Sequence, residues 1–266
     1  MARARNGLDI DAIAPRFPEG KIGCRIEYRR TVGSTNDLAK HLAADGAIHG
    51  TVVVAEEQIA GRGRSGRRWF SPAGCGIWCS ALLRRDEIDP GRILWLTHMG
   101  AVAGARALES ACGVAAGVKW PNDVVLGEKK LGGVLTESSF AGSRFQYAVV
   151  GMGINLLAPP GGFPEALPRA AAAADTASRP FRREDVLVAL LAGLNERYEE
   201  FISTGPAALR EELCGLSTTL GKTVLVSTSD GRRIEGYALE IDRTGALLVE
   251  TAGGERLSLG AGDSIK

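Results

Sequence analysis

The chain has 266 residues, of which 45% are hydrophobic, and its 32 Lys and Arg residues almost balance its 31 Asp and Glu residues, for a formal net charge of +1. This balance excludes a strongly basic nucleic-acid coat protein and an acidic disordered chain. The first 20 residues contain arginines but no apolar h-region, so a secretory signal is not expected. No apolar run reaches the roughly 18 residues that cross a bilayer. The five scattered cysteines are typical of reduced thiols, so a cytoplasmic protein is expected. The 35 glycines exceed the about 19 of average usage, which indicates tight turns or close backbone approach to a ligand.

The N-terminal part of the chain is predicted to contain an arm, a helix and three strands. Residues 1–20 contain two prolines and no periodicity, and are expected to form a mobile arm. A helix is predicted after Ser34, because Ser34 and Asp37 match a capping box and apolar residues follow at helical spacing as far as Gly46. The strands are residues 22–28, 51–55 and 77–83, with a polar, glycine-rich loop over 56–76.

The middle of the chain is predicted to contain one close-packed helix and several short strands. The helix, residues 94–108, has small residues that suit close packing on a sheet. Residues 158–180 contain five prolines and an alanine run, which predicts a long surface connection. The short strands are residues 124–126, 131–137 and 145–150.

The C-terminal part is predicted to contain two helices followed by several short strands. An apolar stripe over residues 182–203 predicts a long helix, and Pro206 is expected to begin a shorter one. After Gly221 short alternating strands are separated by glycine-containing turns, which is typical of a small β barrel or sandwich. These strands are residues 222–228, 234–241, 246–250 and 256–259. The predicted organisation is an arm over 1–20, a main domain over 21–218 and a small β domain over 219–266.

An Arg- and Gly-rich run over residues 61–69 is the strongest local signal. Its first eight residues contain four arginines and three glycines, and no acidic residue. Arginine presents a planar fork of donors to carboxylates and phosphates, and glycine lets backbone N–H groups face the same anion. The run lacks the Gly-Lys-Ser/Thr of a P-loop. Two interpretations stay open, namely an anion-binding loop that is mobile until it folds over its ligand, and a solvated basic loop that contacts nucleic acid.

Two further segments suggest close approach to an anion. Lys119 and Lys130 lie on either side of a predicted hairpin, where they are placed to converge on one anion. The alternate glycines Gly151 and Gly153 directly follow the strand over 145–150, and glycines at a strand end indicate close backbone approach. With only three histidines and no evident Ser-His-Asp or Cys-His set, covalent nucleophilic catalysis is not expected. The catalytic strategies that remain are the positioning of the substrates and the neutralisation of their charge.

In their order along the chain, these motifs resemble those of the biotin–protein ligases. The resemblance extends from residue 22 to the C-terminus. The motifs are Ser34-Thr35-Asn36, Gln58, Gly61-Arg62-Gly63-Arg64-x-Gly66-Arg67-x-Trp69, Lys119-Trp120-Pro121-Asn122-Asp123, Lys130-Leu131-x-Gly133 and Gly151-x-Gly153-Ile154-Asn155. The resemblance implies an α+β fold, with a mixed β-sheet flanked by helices, like that of class II aminoacyl-tRNA synthetases, and a small C-terminal Src-homology-3-like β-barrel. The chain resembles members without an N-terminal DNA-binding domain, so no repressor role is expected.

The resemblance also implies an ATP-dependent ligase that works in two steps. Biotin and ATP form biotinyl-5′-AMP and pyrophosphate with the help of Mg²⁺, and the biotin then passes to a lysine of a biotin carboxyl carrier protein. Lys130 and Arg64 match catalytic residues. The residues implied at the biotin end are Ser34, Thr35, Asn36, Gln58, Gly61, Arg62, Gly63, Arg64, Lys130, Gly133, Leu135 and Gly151. Those implied at the ATP end are Arg64, Arg67, Trp69, Lys119, Asn122, Asp123, Lys130 and Asn155, with the Trp69 ring offered to adenine.

Several alternatives stay open at this point. Asp123 is expected to help hold Mg²⁺, to orient a lysine or to receive the target amine, and no metal ligands are assigned. Lipoate–protein ligases share the implied fold but lack the Gly-Arg-Gly-Arg loop, and a nonenzymatic RNA- or DNA-binding protein would use that loop alone. Neither DNA nor a membrane is expected as a partner, a homodimer is possible, and no tightly bound prosthetic group is expected.

Overall fold

The computed structural model describes residues 7–84, 88–228, 231–260 and 263–265. The α-helices in these ranges are α1 (Ile10–Ile13), α2 (Thr35–Ala44), α3 (Ile93–Cys112), α4 (Arg183–Thr204) and α5 (Ala207–Leu216). The strands are β1 (Arg25–Val32), β2 (Thr51–Gln58), β3 (Gly76–Leu83), β4 (Gly117–Lys119), β5 (Asp123–Leu126), β6 (Lys129–Ala141), β7 (Arg144–Asn155), β8 (Thr223–Ser227), β9 (Arg233–Ile241), β10 (Leu247–Thr251), β11 (Arg256–Leu259) and β12 (Ser264–Ile265).

The main sheet has seven strands in the order β1-β2-β3-β7-β6-β5-β4. β1 and β2 are parallel, and α2 supplies the crossover that a parallel pair requires. The other neighbouring pairs are antiparallel. The sheet is therefore mixed and flanked by helices, which confirms the α+β class implied by the resemblance.

One face of the main sheet collects the polar and glycine positions of the motifs. Gly133 and Leu135 on β6 pair with Gly153 and Gly151 on β7, and Ser80 on β3 also pairs with Gly151. Because side chains two residues apart on a strand share a face, these positions lie on the same side of the sheet. Helix α2 covers part of that side.

The opposite face of β6 and β7 packs against α3. A Cβ placed on Gly100 would lie 3.0 Å from the Val134 side chain and 3.2 Å from the Val150 side chain, so the small residue allows close packing. At the same interface Thr97 Oγ1 donates to Thr136 Oγ1 at 2.9 Å. Small residues therefore bring α3 onto the sheet, as predicted. The predicted apolar stripe of α4 is buried, and α4 packs against α3.

The C-terminal strands form a second, antiparallel sheet in the order β11-β10-β9-β8-β12. Its buried residues Val226, Leu247 and Val249 join the same hydrophobic cluster as the main domain. The four strands predicted after Gly221 are confirmed. Residues 229 and 230 of the predicted first turn lie outside the described residues.

Residues 7–20 differ from the mobile arm that is expected over residues 1–20. Leu8, Ile13 and Phe17 are buried in the main core, and Leu8 N donates to Glu56 Oε1 at 2.8 Å. Burial of these apolar side chains fixes the segment despite its short helix and its prolines. Residues 1–6 lie outside the described residues.

Two local details also differ from the prediction. Helix α2 begins at Thr35, but the Ser34 side chain makes no capping hydrogen bond, and Asp37 contacts Lys40 and Arg62 instead. Gly151 and Gly153 lie within β7 and not beyond it, because the antiparallel pairing with β3 continues to Asn155.

The predicted connection over 158–180 is not wholly a surface segment. Lys130 N donates to the Arg169 carbonyl at 2.6 Å, and Ala171 N donates to the Lys130 carbonyl at 3.1 Å. Ala172 and Ala173 are buried. The alanine run thus lies beside the start of β6, where it supports Lys130. Among the described helices, none is sufficiently long and apolar to cross a membrane.

Candidate active site

Amide and hydroxyl groups from α2, β2 and β3 form one end of the site. Thr35 donates to Gln58 Oε1 from its backbone N at 2.8 Å and from its Oγ1 at 3.1 Å. Gln58 Nε2 in turn donates to Ser71 Oγ at 2.8 Å. Ser80 Oγ lies 2.8 Å from Thr35 Oγ1 and 2.6 Å from Asn36 Oδ1. We call Thr35, Asn36, Gln58, Ser80 and Gly151 the Asn36 cluster.

Asn36 lies against the bare backbone of Gly151. A Cβ on Gly151 would lie only 1.9 Å from Asn36 Oδ1. Asn36 Nδ2 donates to the Leu135 carbonyl at 3.1 Å and to Glu137 Oε2 at 2.9 Å. The structure therefore brings Asn36, Leu135 and Gly151 together, as the resemblance implies, and the predicted close backbone approach at Gly151 is explained by a side chain of the protein itself.

Four charged side chains hold the beginning of the Arg/Gly loop beside this cluster. Arg62 contacts Asp37 at 2.9 Å and also Glu137, and Lys40 Nζ lies 2.8 Å from Glu137 Oε1. Burial by itself raises the pKa of the Glu137 carboxyl, but hydrogen bonds from Lys40, Asn36 and Arg62 outweigh it and hold the pKa below its ordinary value. Glu137 is thus a carboxylate that ties the loop to β6.

Cationic and aromatic groups form the other end of the site. Lys130 Nζ lies 2.6 Å from Asp123 Oδ1 and 5.2 Å from the centroid of the Trp69 ring. The Trp69 ring covers Gly153, where a Cβ would lie 2.3 Å from Trp69 Nε1. A Cβ on Gly133 would lie 3.4 Å from Lys130 Cε. We call Arg64, Trp69, Asn122, Asp123 and Lys130 the Lys130 cluster.

Arg64 extends from the Arg/Gly loop to this cluster and to the C-terminal strand. Its Nη1 donates to Asn122 Oδ1 at 2.9 Å, and its Nη2 donates to the Asp263 carbonyl at 2.6 Å. Burial lowers the pKa of the Arg64 guanidinium, and the charge of Arg67 lowers it further, while Asp123 and Asp263 oppose the shift. The guanidinium remains cationic, so it presents a partly desolvated positive charge.

Lys119 adds a second cation at the same end. It ends β4 and pairs with Asp123 in the β4–β5 ladder. Burial lowers the pKa of the Lys119 ammonium, and the charges of Arg169 and Lys130 lower it further, against Asp123 and Glu128. A site in which neighbouring cations lower one another's pKa favours a bound anion, since the anion would relieve the repulsion between the cations.

Asn155 lies on β7 two residues beyond Gly153, which the Trp69 ring covers. It follows Gly151 and Gly153 at intervals of two, so it belongs to the same face of the sheet, and it is buried. Ser34 is buried directly before α2. Gly61 lies close to Gln58, and Gly63 N donates to the Arg67 carbonyl at 2.7 Å.

A cavity of about 240 Å³ lies along the Arg/Gly loop. It is lined by Arg62, Gly63, Arg64, Ser65, Gly66, Arg67, Leu135 and Glu137. The loop thus faces Leu135 and Glu137 of β6 across this cavity. In the ranges that the structure describes, no group of three or more His, Cys, Asp or Glu side chains could hold a metal ion.

Sequence reasoning missed three residues that contact the predicted site. Ser80 links Thr35 and Asn36, and its signal was a lone hydroxyl in the otherwise apolar strand β3. Glu137 follows Gly133 and Leu135 with the alternation of β6, which would have placed it on the same face. Asp263 lies far away in sequence, and its contact with Arg64 runs through a backbone carbonyl, so no side-chain pattern indicates it.

Two family models match the chain. The biotin/lipoate A/B protein ligase family matches residues 28–155, and the biotin protein ligase C-terminal domain matches residues 219–265. Both matches fall on the regions that carry the two sheets.

Individual relatives extend these matches over most of the chain. The bifunctional ligase/repressor BirA of Bacillus subtilis is 34% identical over 231 residues, which are 86% of this chain and 70% of that protein. The biotin--[acetyl-CoA-carboxylase] ligase of Mycobacterium tuberculosis is 32% identical over 271 residues, which are 99% of this chain and 97% of that protein.

A solved structure shows the same architecture. The biotin protein ligase of Aquifex aeolicus, in complex with biotin and ATP, superimposes with a TM-score of 0.77 at 27% identity, covering 91% of this chain and 98% of that one. Since fold, family models and full-length relatives agree, the chain belongs to the biotin protein ligases, a family of ATP-dependent enzymes.

Proposed function

We propose that this ligase activates biotin with ATP to give biotinyl-5′-AMP and pyrophosphate, and then transfers the biotin to a lysine of a biotin carboxyl carrier protein. The observation that carries the proposal is that the cationic Lys130 cluster and the neutral Asn36 cluster lie at two ends of one face of the main sheet. Neutral amides and hydroxyls suit the polar ureido ring of biotin, and cations suit its carboxylate and the phosphates of ATP. The five free thiols support a reducing, cytoplasmic location.

In the first step two anions must come together. The biotin carboxylate oxygen attacks the α-phosphorus, a new P–O bond forms, and the bond to pyrophosphate breaks. Lys130 would contact both the carboxylate and the α-phosphate, and would stabilise the charge that builds on the phosphoryl oxygens. Arg64 and Arg67 would hold the phosphates, with Lys119, Asn122 and Asn155 around the nucleotide. Positioning supplies much of the rate because the reactants no longer have to meet by diffusion.

Asp123 is assigned to orient Lys130. Its carboxylate lies 2.6 Å from Lys130 Nζ, which supports this role among the three that the sequence leaves open. Mg²⁺ enters as the metal of the ATP substrate, and its hard charge favours phosphate oxygens and water. When ATP binds, its phosphates would replace Asp123 as the partners of Lys130.

In the second step the lysine amine of the carrier attacks the acyl carbon of biotinyl-5′-AMP. An amide bond forms, the bond to the phosphate breaks, and AMP leaves while the amine loses a proton. The adenylate reacts readily with water, so the site must exclude water until the carrier binds. Closure of residues 61–69 over the adenylate would provide this protection, and the mobility of that loop stays a prediction.

Thermal denaturation with single and combined ligands tests the function. A ligand that binds the native state adds RT ln(1 + [L]/Kd) to its stability. We expect biotin and ATP to raise the melting temperature and to release pyrophosphate only when both are present. Stabilisation by lipoate but not by biotin would overturn the substrate assignment. Stabilisation by RNA alone, lost as salt increases, would indicate the nonenzymatic alternative.

A further inference from the structure

His98 lies on α3 outside the motifs, fully buried, between the two sheets. One ring nitrogen, Nδ1, is 3.1 Å from the Pro121 carbonyl oxygen, and the other, Nε2, is 2.8 Å from the Gly245 carbonyl oxygen. Burial lowers the pKa of the ring to about 4, so the imidazole is neutral near neutral pH and donates its one N–H to one carbonyl at a time. The ring is therefore packed between the 119–123 turn and the C-terminal sheet and is hydrogen bonded to one of them at a time.

The partner in the C-terminal sheet is a hydrogen-bonded turn between β9 and β10. Asp242 Oδ1 accepts hydrogen bonds from Thr244 N at 2.7 Å and from Ala246 N at 3.1 Å. Gly245 has φ +88, and a Cβ there would lie 3.1 Å from the His98 ring. This turn, residues 242–246, thus presents the Gly245 carbonyl to His98 in a fixed position.

The 119–123 turn is held from the same side by a second contact with Gly245. Trp120 Nε1 donates to the Gly245 carbonyl at 3.2 Å. The backbone N of Trp120 donates to Thr219 Oγ1 at 3.0 Å. The next residue after Pro121 is Asn122, whose Oδ1 accepts from Arg64. The hydrogen bond to Trp120, followed by the covalent chain to Asn122, therefore joins residues 242–246 to the groups assigned to ATP.

We propose that His98 is a positioning residue, which uses the 242–246 turn to place Lys119, Asn122 and Asp123 for ATP. This inference rests on the proposed ATP end. His98 acts through the backbone of Pro121 and touches no substrate. Displacement of a binding group by about 1 Å is costly to a reaction, so loss of His98 weakens the binding of ATP. Biotin binding is unaffected, because the Asn36 cluster that is proposed to hold biotin is anchored to α2, β2 and β3.

Steady-state kinetics of His98→Leu, with biotin and ATP varied separately, test the inference. Leucine fills the space without either hydrogen bond, and we expect the KM for ATP to rise about tenfold while the dissociation constant for biotin stays unchanged. His98→Asn restores a donor on the side of Pro121, and it should recover most of the ATP affinity. Gly245→Ala approaches the same contact from the other sheet and should also raise the KM for ATP, which keeps a test available if His98→Leu does not fold.

Trp95→Phe is the matched control. Trp95 Nε1 donates to the Arg243 carbonyl of the same turn at 3.0 Å, and its ring makes an edge contact with the His98 ring at 5.4 Å between centroids, so phenylalanine removes the hydrogen bond to the turn and keeps an aromatic ring beside His98. A rise in the KM for ATP in Trp95→Phe as large as that in His98→Leu would indicate a general packing role and overturn the inference. The same conclusion would follow if His98→Leu weakened the binding of biotin as much as that of ATP. Asn122→Ala distinguishes failure of the proposed ATP end from failure of the His98 role. An unchanged KM for ATP in that variant would overturn the proposed ATP end. A raised KM in Asn122→Ala, with none in His98→Leu, would overturn the role of His98 alone.

Discussion

The Asn36 cluster and the Lys130 cluster lie on one face of the same sheet but are stabilised in different ways. In the Asn36 cluster neutral groups bond to one another, with Thr35, Gln58 and Ser80 within 2.6–3.1 Å of their partners. In the Lys130 cluster, cations contact groups that a substrate can replace, such as Asp123 and the Asp263 carbonyl. The first cluster is preorganised, whereas the second must exchange partners when ATP binds.

The difference follows from the desolvation cost of charge. A neutral amide that is fully hydrogen bonded is stable when buried, whereas a buried cation needs a counter-charge. Lys130 is partly buried, and Asp123 supplies its counter-charge in the structure. The phosphates of ATP would supply it during the reaction. Substitutions in the two clusters should therefore separate biotin binding from chemistry.

The largest expected effect is the loss of chemistry in Lys130→Ala. Without the ammonium, no group bridges the carboxylate and the α-phosphate, and pyrophosphate release should fall by about 10²–10³ or more. Biotin binding, measured by calorimetry without ATP, should change much less. Lys129→Ala is a suitable control, because Lys129 precedes it on β6 and is exposed. Near-normal pyrophosphate release by Lys130→Ala would remove Lys130 from the catalytic role.

Gly151→Ala should break the other cluster. The new Cβ would overlap Asn36 Oδ1, which lies 1.9 Å from its position, and overpacking of this kind costs about 1–3 kcal/mol. We expect weaker biotin binding with ATP binding retained, as measured by calorimetry of each ligand. Gly215→Ala is a control in α5, where nothing lies within 4 Å of the added atom. If ATP affinity fell as much as biotin affinity, the two clusters would not be separate units.

The contrast also explains how much could be predicted from the sequence. The Lys130 cluster comes from motifs of charged and aromatic residues, so Arg64, Trp69, Asn122, Asp123 and Lys130 all carry their own signal. The Asn36 cluster depends on Ser80 and Glu137, which come from strands whose register is set by tertiary pairing. Apart from α1, β4 and β12, the order of the elements was predicted. The packing of Leu8, Ile13 and Phe17 was not, since three scattered apolar residues show no periodic pattern. The boundary at residue 219 and the site roles stay predictions.

A smaller effect is expected in the Arg/Gly loop that joins the clusters. Trypsin should cleave after Arg64, Arg67 and Arg68 more slowly when biotin and ATP are both present, because the loop would then be ordered over the adenylate. Cleavage after Arg182, whose side chain is exposed and lies far from the loop in sequence, serves as an internal control. Equal cleavage rates at the loop with and without the two substrates would contradict closure.

The smallest expected effect concerns the pH dependence of Glu137. Its pKa is lower in the folded protein than its ordinary value of 4.5, so it stabilises the fold above that value, and the contribution is lost as pH falls through the lowered pKa. Because Arg62 and Lys40 are partly exposed to solvent, we expect only about 1 kcal/mol from the group. Glu137→Gln should therefore be less stable than the parent near neutral pH, and the gap should close in acid, as measured by denaturant unfolding. Glu128→Gln, at an exposed carboxyl in the β5–β6 turn, should show no such gap. A difference for Glu137→Gln that persisted unchanged in acid would mean that shape, and not charge, ties the loop to β6.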